Sequence, residues 1–515
     1  MHLLTTISLI TLGSLSAALA GETNTKTTTT TTLKITPSIK YQPISGFGFS
    51  EAFQRAHALT SLPPSFQSSI LDLLFHPQKG AGFTILRLGL GSSPDSRGDH
   101  MNSPQPAPDK PFAWDGDDSG QVWVAREAMR RYGVDTFIAD AWSAPGYMKT
   151  NGRDDLGGWL CGVRGTTETK CNGTSFVEEY AEYLARYVRA WVVEGGIPVR
   201  YVGFLNEPNL NKTYATMQSD GYQAADIAFA LAPKLKEAGL ADKVGISCCE
   251  GQGWSYSRDL LAEMQDAGAE GLLELVTTHT YKGTPAKPDR PLNTTLPVWV
   301  TEISPIMDRL GMTQTWYRNH SENEGLLHAI NIHEALTTGN VSAYVYWIGV
   351  GQSKGEAPYI WAPPANGTAA ADMWHSSNNG GNGTATGAPP YTIGSTYWGS
   401  AHFSRFVRPG ATRVDVAQTG TDNVTGVLAS AYRNLRAGIV AQVINNGDEK
   451  VSATLVLSDD YISPGNDCRL EVWVSDNERK LMLVQDGRVH LGESAVVREQ
   501  ELSPRSLTTF NLTCL

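Results

Sequence analysis

Two apolar runs in this chain end in a glutamate. The first reads Gly203-Phe204-Leu205-Asn206-Glu207-Pro208 and the second Val298-Trp299-Val300-Thr301-Glu302. Both have the composition of a strand, so each delivers one carboxyl where a strand stops. Two carboxyls about 5 to 5.5 Å apart perform a defined chemistry: one attacks an anomeric carbon while the other protonates the leaving oxygen and then deprotonates water. Attack falls to Glu302 and proton transfer to Glu207. The Asn206 amide beside Glu207 suits a sugar 2-hydroxyl, whereas a nucleophile needs fixed donors that keep it ionised. Arg87, ending another strand, is the expected donor, because a nearby guanidinium favours a charged carboxylate. Taken singly, each acid reads equally well as a solvated loop residue, as most of the 52 acidic residues must be. Their shared position at strand ends sets the pair apart.

The elements that must position them follow from periodicity. Short β-branched runs alternate with amphipathic helical stretches, the pattern of repeated βα units. Eight strands are expected: 44–49, 84–90, 136–142, 201–206, 244–249, 275–279, 298–302 and 342–348. Between the third and fourth, Phe176, Tyr180, Leu184, Tyr187, Val188 and Trp191 recur at helical spacing, predicting a helix over 175–194. The expected fold is therefore α/β, a (β/α)8 TIM barrel over residues 44–405, with its site at the C-terminal ends of the strands. Residues 406–515 change to short alternating strands and read as a smaller β-sandwich, joined by a strand over 33–43 from the other end of the chain. Residues 363–390, rich in Gly, Asn, Ala and Pro, read as a long exposed loop.

The 515 residues, 41% hydrophobic and 18% charged, are those of an ordinary folded protein. A short apolar stretch from Ile7 to Leu19 ending in Ala18-Leu19-Ala20 predicts a signal peptide over 1–20, followed by a Thr-rich linker over 21–32. No apolar run long enough to span a bilayer follows, so the expectation is a secreted, extracellular product without a membrane partner. Asn-X-Ser/Thr sites at Asn172, Asn211, Asn293, Asn319, Asn340, Asn366, Asn382, Asn423 and Asn511 agree with export. So do six cysteines, with Cys161–Cys171 and Cys468–Cys514 as expected disulfides and at least one of the adjacent Cys248 and Cys249 as a buried free thiol. No Cys or His spacing resembles a metal site, and no cofactor is implied. A net charge of −11 argues against a nucleic-acid partner. The expected state is a monomer.

With these residues in view, the chain resembles glycoside hydrolase family 30. The landmarks are Ile44-Ser45-Gly46-Phe47-Gly48, Leu86-Arg87-Leu88, Trp142-Ser143-Ala144-Pro145, Leu205-Asn206-Glu207-Pro208, Thr301-Glu302 and Phe403-Ser404-Arg405-Phe406-Val407-Arg408-Pro409-Gly410. The stretch from Gly48 to Ala56 is similar to the fungal xylanase subfamily, some of whose members recognise the methylglucuronic acid branch of glucuronoxylan. The resemblance implies that Arg55 meets that carboxylate, a task suited to a guanidinium fork. Arg55 paired with an internal acid such as Glu51 is the alternative. The resemblance also implies that Asn102, in the long loop after the second strand, narrows the non-reducing side of the cleft and permits release of xylobiose. Trp142, His279, Tyr281 and Trp347 sit at or just past strand ends and are candidate sugar contacts, with core packing as the plainer reading of the tryptophans. A Tyr281 hydroxyl beside Glu302 would hold that carboxylate during attack.

The implied activity is hydrolysis of β-1,4-xylosidic bonds of glucuronoxylan or xylo-oligosaccharides, endo-acting and with retention. A β-1,6-glucanase or β-1,6-galactanase of the same family would share both glutamates and differ in the loops. An inactive carbohydrate-binding protein on this scaffold would need aromatic platforms and no acid pair.

Overall fold

In the computed structural model, the alternating strands and helices close on themselves. The structure describes residues 29–166, 171–283, 291–305, 310–363, 391–420, 426–435, 438–458, 467–491 and 496–514. The expected signal peptide, Asn366, Asn382, Asn423 and nearly all of the expected long loop lie outside the described residues.

The chain enters as β1 (Thr29–Pro43) and then builds eight parallel strands: β2 (Gly46–Ser50), β3 (Ile85–Leu90), β4 (Thr136–Ala141), β5 (Val199–Gly203), β6 (Gly245–Gly253), β7 (Leu273–Lys282), β8 (Val298–Glu302) and β9 (Ala343–Tyr346). The barrel closes where β2 pairs with β9, from Gly46 against Ala343 to Phe49 against Tyr346. These are the eight expected strands with shifted ends. One shift matters: β6 continues past Cys249 through Glu250, with its register against β7 broken between Cys248 and Gly251.

Side chains two apart on a strand share a face. Ile85, Ile138, Leu275, Trp299, Ala343 and Val345 cluster inside the barrel, with Tyr201 against them. Each large member contributes about 1.5–3 kcal/mol by leaving water. The same alternation carries Arg87 to the inner face two residues after Ile85, and Asp140 and Trp142 after Ile138. The intervening residues, such as Leu86, Leu88, Phe137 and Ala139, face outward into the main core under the helices. The predicted helix appears as Val177–Arg189, continued by a π turn over Ala190–Glu194, and buries Tyr180, Leu184, Tyr187, Val188 and Trp191.

Beyond the barrel, β10 (Val350–Gly351), β11 (Ile360–Trp361) and β12 (Thr392–Ile393) make a small sheet. The side domain holds β13 (Thr412–Gly420), β14 (Val427–Arg433), β15 (Gly438–Asn445), β16 (Val451–Leu457), β17 (Asp467–Ser475), β18 (Met482–His490), β19 (Val496–Leu502) and β20 (Ser506–Cys514). They hydrogen-bond in the order β18-β17-β20-β15-β14-β13-β1-β16-β19 and fold over a core of their own as a β-sandwich. The N-terminal strand lies inside this sheet, between β13 and β16. It begins at Thr29, so the last four residues of the expected Thr-rich linker are paired strand, and Thr31 is buried. A threonine run without apolar side chains is still β-branched, and pairing on both edges supplies what packing does not.

Disulfides join Cys161 to Cys171 and Cys468 to Cys514. Cys248 and Cys249 also form a disulfide, with each other, so the expected free thiol is absent. The helix Ser395–Phe406 fastens the two domains: His402 sits between Thr509 Oγ1 (2.6 Å) and Ser475 Oγ (2.8 Å), and burial holds its imidazole down at about 3. A neutral ring suits two hydroxyl partners.

Candidate active site

Glu207 lies four residues past the end of β5 and Glu302 is the last residue of β8. One carboxylate oxygen from each, with one ring nitrogen of His279, all fall within 4.8 Å of one another. Both glutamates line a hollow of about 580 Å³ at the C-terminal mouth of the barrel. Only 5% of Glu207 and 6% of Glu302 is exposed, which leaves each carboxyl facing the hollow and little else.

The two acids are held differently. Glu302 Oε2 accepts from Arg87 Nη1 (2.5 Å) and Oε1 from the Tyr281 hydroxyl (2.9 Å). Glu207 Oε2 accepts from the Tyr214 hydroxyl (3.1 Å), and its Oε1 lies 3.1 Å from His279 Nδ1. Its backbone φ is +45°, and its N–H donates to the Glu250 carbonyl (2.9 Å). A non-glycine residue in that region stores strain, which the surrounding bonds hold in place.

Beneath the pair lies a buried polar layer. Arg87 Nη2 reaches Asp140 (2.7 Å), Asn206 Oδ1 (2.7 Å) and Glu250 (3.3 Å). Glu250 Oε2 also meets His279 Nε2 (2.7 Å) and accepts from Thr301 Oγ1 (2.6 Å). Burial by itself lowers an imidazole, but the carboxylates of Glu302, Glu207 and Glu250 outweigh it and hold His279 at about 10. Burial likewise opposes charge on Glu250, yet Arg87, His279 and Thr301 keep it at about 2. Burial and the neighbouring Glu250 charge push Asp140 well up. For Glu302 burial pushes upward, His279 and Arg87 pull against it, and Glu207 adds to the rise. The expected net lowering of Glu302 by Arg87 is thus overridden by burial. Glu207, His279 and Glu302 have a spacing that a metal ion could use, while both His279 nitrogens already meet carboxylates.

Two of these groups contribute to the pH dependence of stability. His279 rises from 6.5 to about 10 on folding, so its contribution is complete below pH 6.5 and is lost as the pH climbs through 10. Glu250 falls from 4.5 to about 2, so its contribution is complete above pH 4.5 and is lost as the pH drops through 2. The melting temperature is expected to be highest between these limits and to decline on both sides. A Tm that keeps rising above pH 8 contradicts a protonated His279.

The sequence candidates divide into two groups. Arg55, Trp142, Asn206, Tyr281 and Trp347 line the hollow with both glutamates. Trp142 and Trp347 lie 5.9 Å apart, with Phe53 5.1 Å from Trp142, so the three form an aromatic wall. Arg87, expected as the donor to Glu302, and His279, expected among the sugar contacts, are fully buried and do not line it. They hold the carboxylates instead, because their inward-facing side chains lie beneath the two acids. Asn102 does not line it either: it is exposed and borders a separate hollow of about 300 Å³ with Pro94, Trp114 and Asp118. The loop turns at Gly98, so Asp99 lines the cleft in its place. Arg55 is paired with Asp99 and with Glu356 (2.6 Å), while Glu51, the acid expected as its partner, instead accepts from the Val350 N–H (2.8 Å).

Sequence reasoning missed Glu250, Asp140, Tyr214, Asp99 and Glu356. Glu250 carried the same signal as Glu207 and Glu302, an acid at the end of a strand-like run. Asp140 sits two residues after inward Ile138, in a strand read only for its ends. Tyr214, Asp99 and Glu356 lie in loops, where periodicity says nothing.

Against known structures, the chain superposes on the catalytic domain of the family 30 glycoside hydrolase xylanase C from Talaromyces cellulolyticus. The TM-score is 0.76 and the identity 32%, over 94% of this chain and 100% of that one. The chain is a glycoside hydrolase of family 30. The sequence profile of glycosyl hydrolase family 59 also matches this family 30 chain, over residues 45–362, which span the barrel. Among curated relatives, an endo-1,6-beta-D-glucanase of Trichoderma harzianum is 26% identical over 79% of this chain and 78% of that enzyme. An endo-1,6-beta-D-glucanase of Neurospora crassa is 25% identical over 44% of this chain, and the match spans 45% of that enzyme's length. Among the described residues, no helix is long and apolar enough to cross a membrane.

Proposed function

We propose that this family 30 enzyme hydrolyses β-1,4-xylosidic bonds of glucuronoxylan outside the cell, with retention of configuration. The observation that carries the reaction type is the approach of a Glu207 oxygen and a Glu302 oxygen to within 4.8 Å, close to the spacing of retaining pairs and too tight for the water of an inverting one. In the first step Glu302 attacks C1, the bond from C1 to the leaving oxygen breaks, and Glu207 gives that oxygen its proton. In the second, water attacks C1, Glu207 takes the water proton, and the bond to Glu302 breaks. Asn206 in the cleft wall, its Oδ1 held by Arg87, turns its amide N–H groups toward a sugar 2-hydroxyl. The aromatic wall packs on the flat sugar faces.

The near end-to-end likeness to xylanase C supports the xylan reading. The β-1,6-glucanase names of the curated relatives favour a second one. Incubation with glucuronoxylan, pustulan and β-1,6-galactan separates them: the expected result is reducing sugar from glucuronoxylan. Release only from the other two ends the xylan reading.

Arg55 in the cleft wall is the proposed contact for a uronic acid branch, which would displace Asp99 or Glu356 from the fork. Arg55→Ala is expected to lower kcat/KM on methylglucuronic-acid-substituted xylan about tenfold or more, the range of one lost charge-assisted bond. Linear xylo-oligosaccharides should change little. Equal losses on both substrates would make Arg55 a clamp for the two loop acids and nothing more.

A further inference from the structure

Glu250 meets Arg87 from β3, His279 from β7 and Thr301 from β8, and through Arg87 and His279 it is linked to Asp140 from β4, Glu302 from β8 and Glu207 beyond β5, the last two of which also accept from Tyr281 and Tyr214. Two of them are cations, Arg87 and His279. Asp140 and Glu250 share the same Arg87 nitrogen, but Glu250 alone also has His279 and Thr301, so Glu250 is the one that stays charged. Arg87 and His279 thus face the carboxyls of Glu250, Glu302 and Glu207 together.

The backbone is arranged to hold this. Glu250 sits in the bulge of β6 with φ at +54°, directly after the Cys248–Cys249 disulfide, and its carbonyl accepts from the Glu207 N–H. Bulges of this kind re-aim a side chain beside active sites. Its side chain therefore points into the buried layer while its main chain fixes the acid/base. Glu250 is nearly unexposed and does not line the cleft, so it touches no substrate.

The geometry points to Glu250 as a positioning residue for proton transfer: its fixed charge binds the far side of His279, so that the imidazolium steadies Glu207 without stripping its proton. The inference rests on the assignment of Glu207 as acid/base, and it goes beyond it by assigning the group that sets when Glu207 gives up its proton. Removing that charge leaves Arg87 and His279 with one carboxylate fewer, and the less compensated imidazolium draws the alkaline limb of activity to lower pH.

The test is the alkaline limb of the kcat/KM profile, measured on whichever glycoside the wild type cleaves. Glu250→Gln is expected to move that limb down by about one pH unit or more, the scale of a single neighbouring charge. Glu250→Asp, which keeps the charge, should leave the limb in place. Above the limb, Glu250→Gln should lose about tenfold or more on a polysaccharide. It should lose far less on a dinitrophenyl glycoside, whose leaving group needs no proton. If Glu250→Gln does not fold, His279→Gln still decides: without the imidazolium the limb should move up. An unmoved limb in folded Glu250→Gln, or equal losses on both substrates, overturns the proposal, as does an unmoved or lowered limb in His279→Gln. A wild type active on β-1,6-glucan instead of xylan would end the xylan reading and leave this test in force.

Discussion

Glu302→Gln is expected to lower kcat on xylan by about ten-thousand-fold or more, the scale seen when an enzyme loses its nucleophile. The amide is the same size: its oxygen accepts from Arg87 Nη1 and its N–H donates to the Tyr281 hydroxyl, so the hollow keeps its shape. What disappears is the charge that forms the bond to C1. Binding of xylo-oligosaccharides by calorimetry should survive, because the aromatic wall and Asn206 are untouched. Turnover within tenfold of wild type would show that attack comes from elsewhere.

The second large effect belongs to Glu207→Ala. Loss of a general acid costs about 10²- to 10⁴-fold on substrates whose leaving group needs a proton. The expectation is a loss in that range on xylan and a much smaller one on a dinitrophenyl xylobioside. Glu207 also spaces Tyr214 and His279 across the mouth, so the alanine opens room beside C1 on the water side. Added azide should enter there and react without a base, giving a glycosyl azide of unchanged anomeric configuration. Mass spectrometry and proton NMR of the product check this. An azide of inverted configuration would contradict the retaining assignment, and equal losses on both substrates would remove Glu207 as the acid.

The eight barrel strands and the pair at their ends were legible in the chain because strand and helix write different periods, and because a strand that ends in an acid has one place to put it. The β-sandwich was legible for the same reason. Arg87 does meet Glu302, as a guanidinium at a strand end suggested, but burial overrides the expected lowering of that carboxyl. His279 was found, but as a sugar contact. Whether a side chain stands at the rim or one layer below depends on strand stagger, and a register shift such as that between Thr278 and His279 moves it without a mark in the sequence.

Loop geometry was the harder part. Asn102 and Asp99 are three residues apart in one loop, and nothing in their types says which one reaches the cleft. A left-handed Gly98 and the single bridge from Ser93 to Asn102 turn the amide away. Glu356 comes to Arg55 from 301 positions along the chain, beyond any spacing rule.

The sequence by itself determined the class of fold, the two carboxyls and the guanidinium that serves one of them, because local period and strand ends are properties of short stretches. The tertiary structure decided the charge state of the site. Glu250, Asp140 and His279 belong to three different strands, and only closing the barrel removes their water and makes each proton depend on the others.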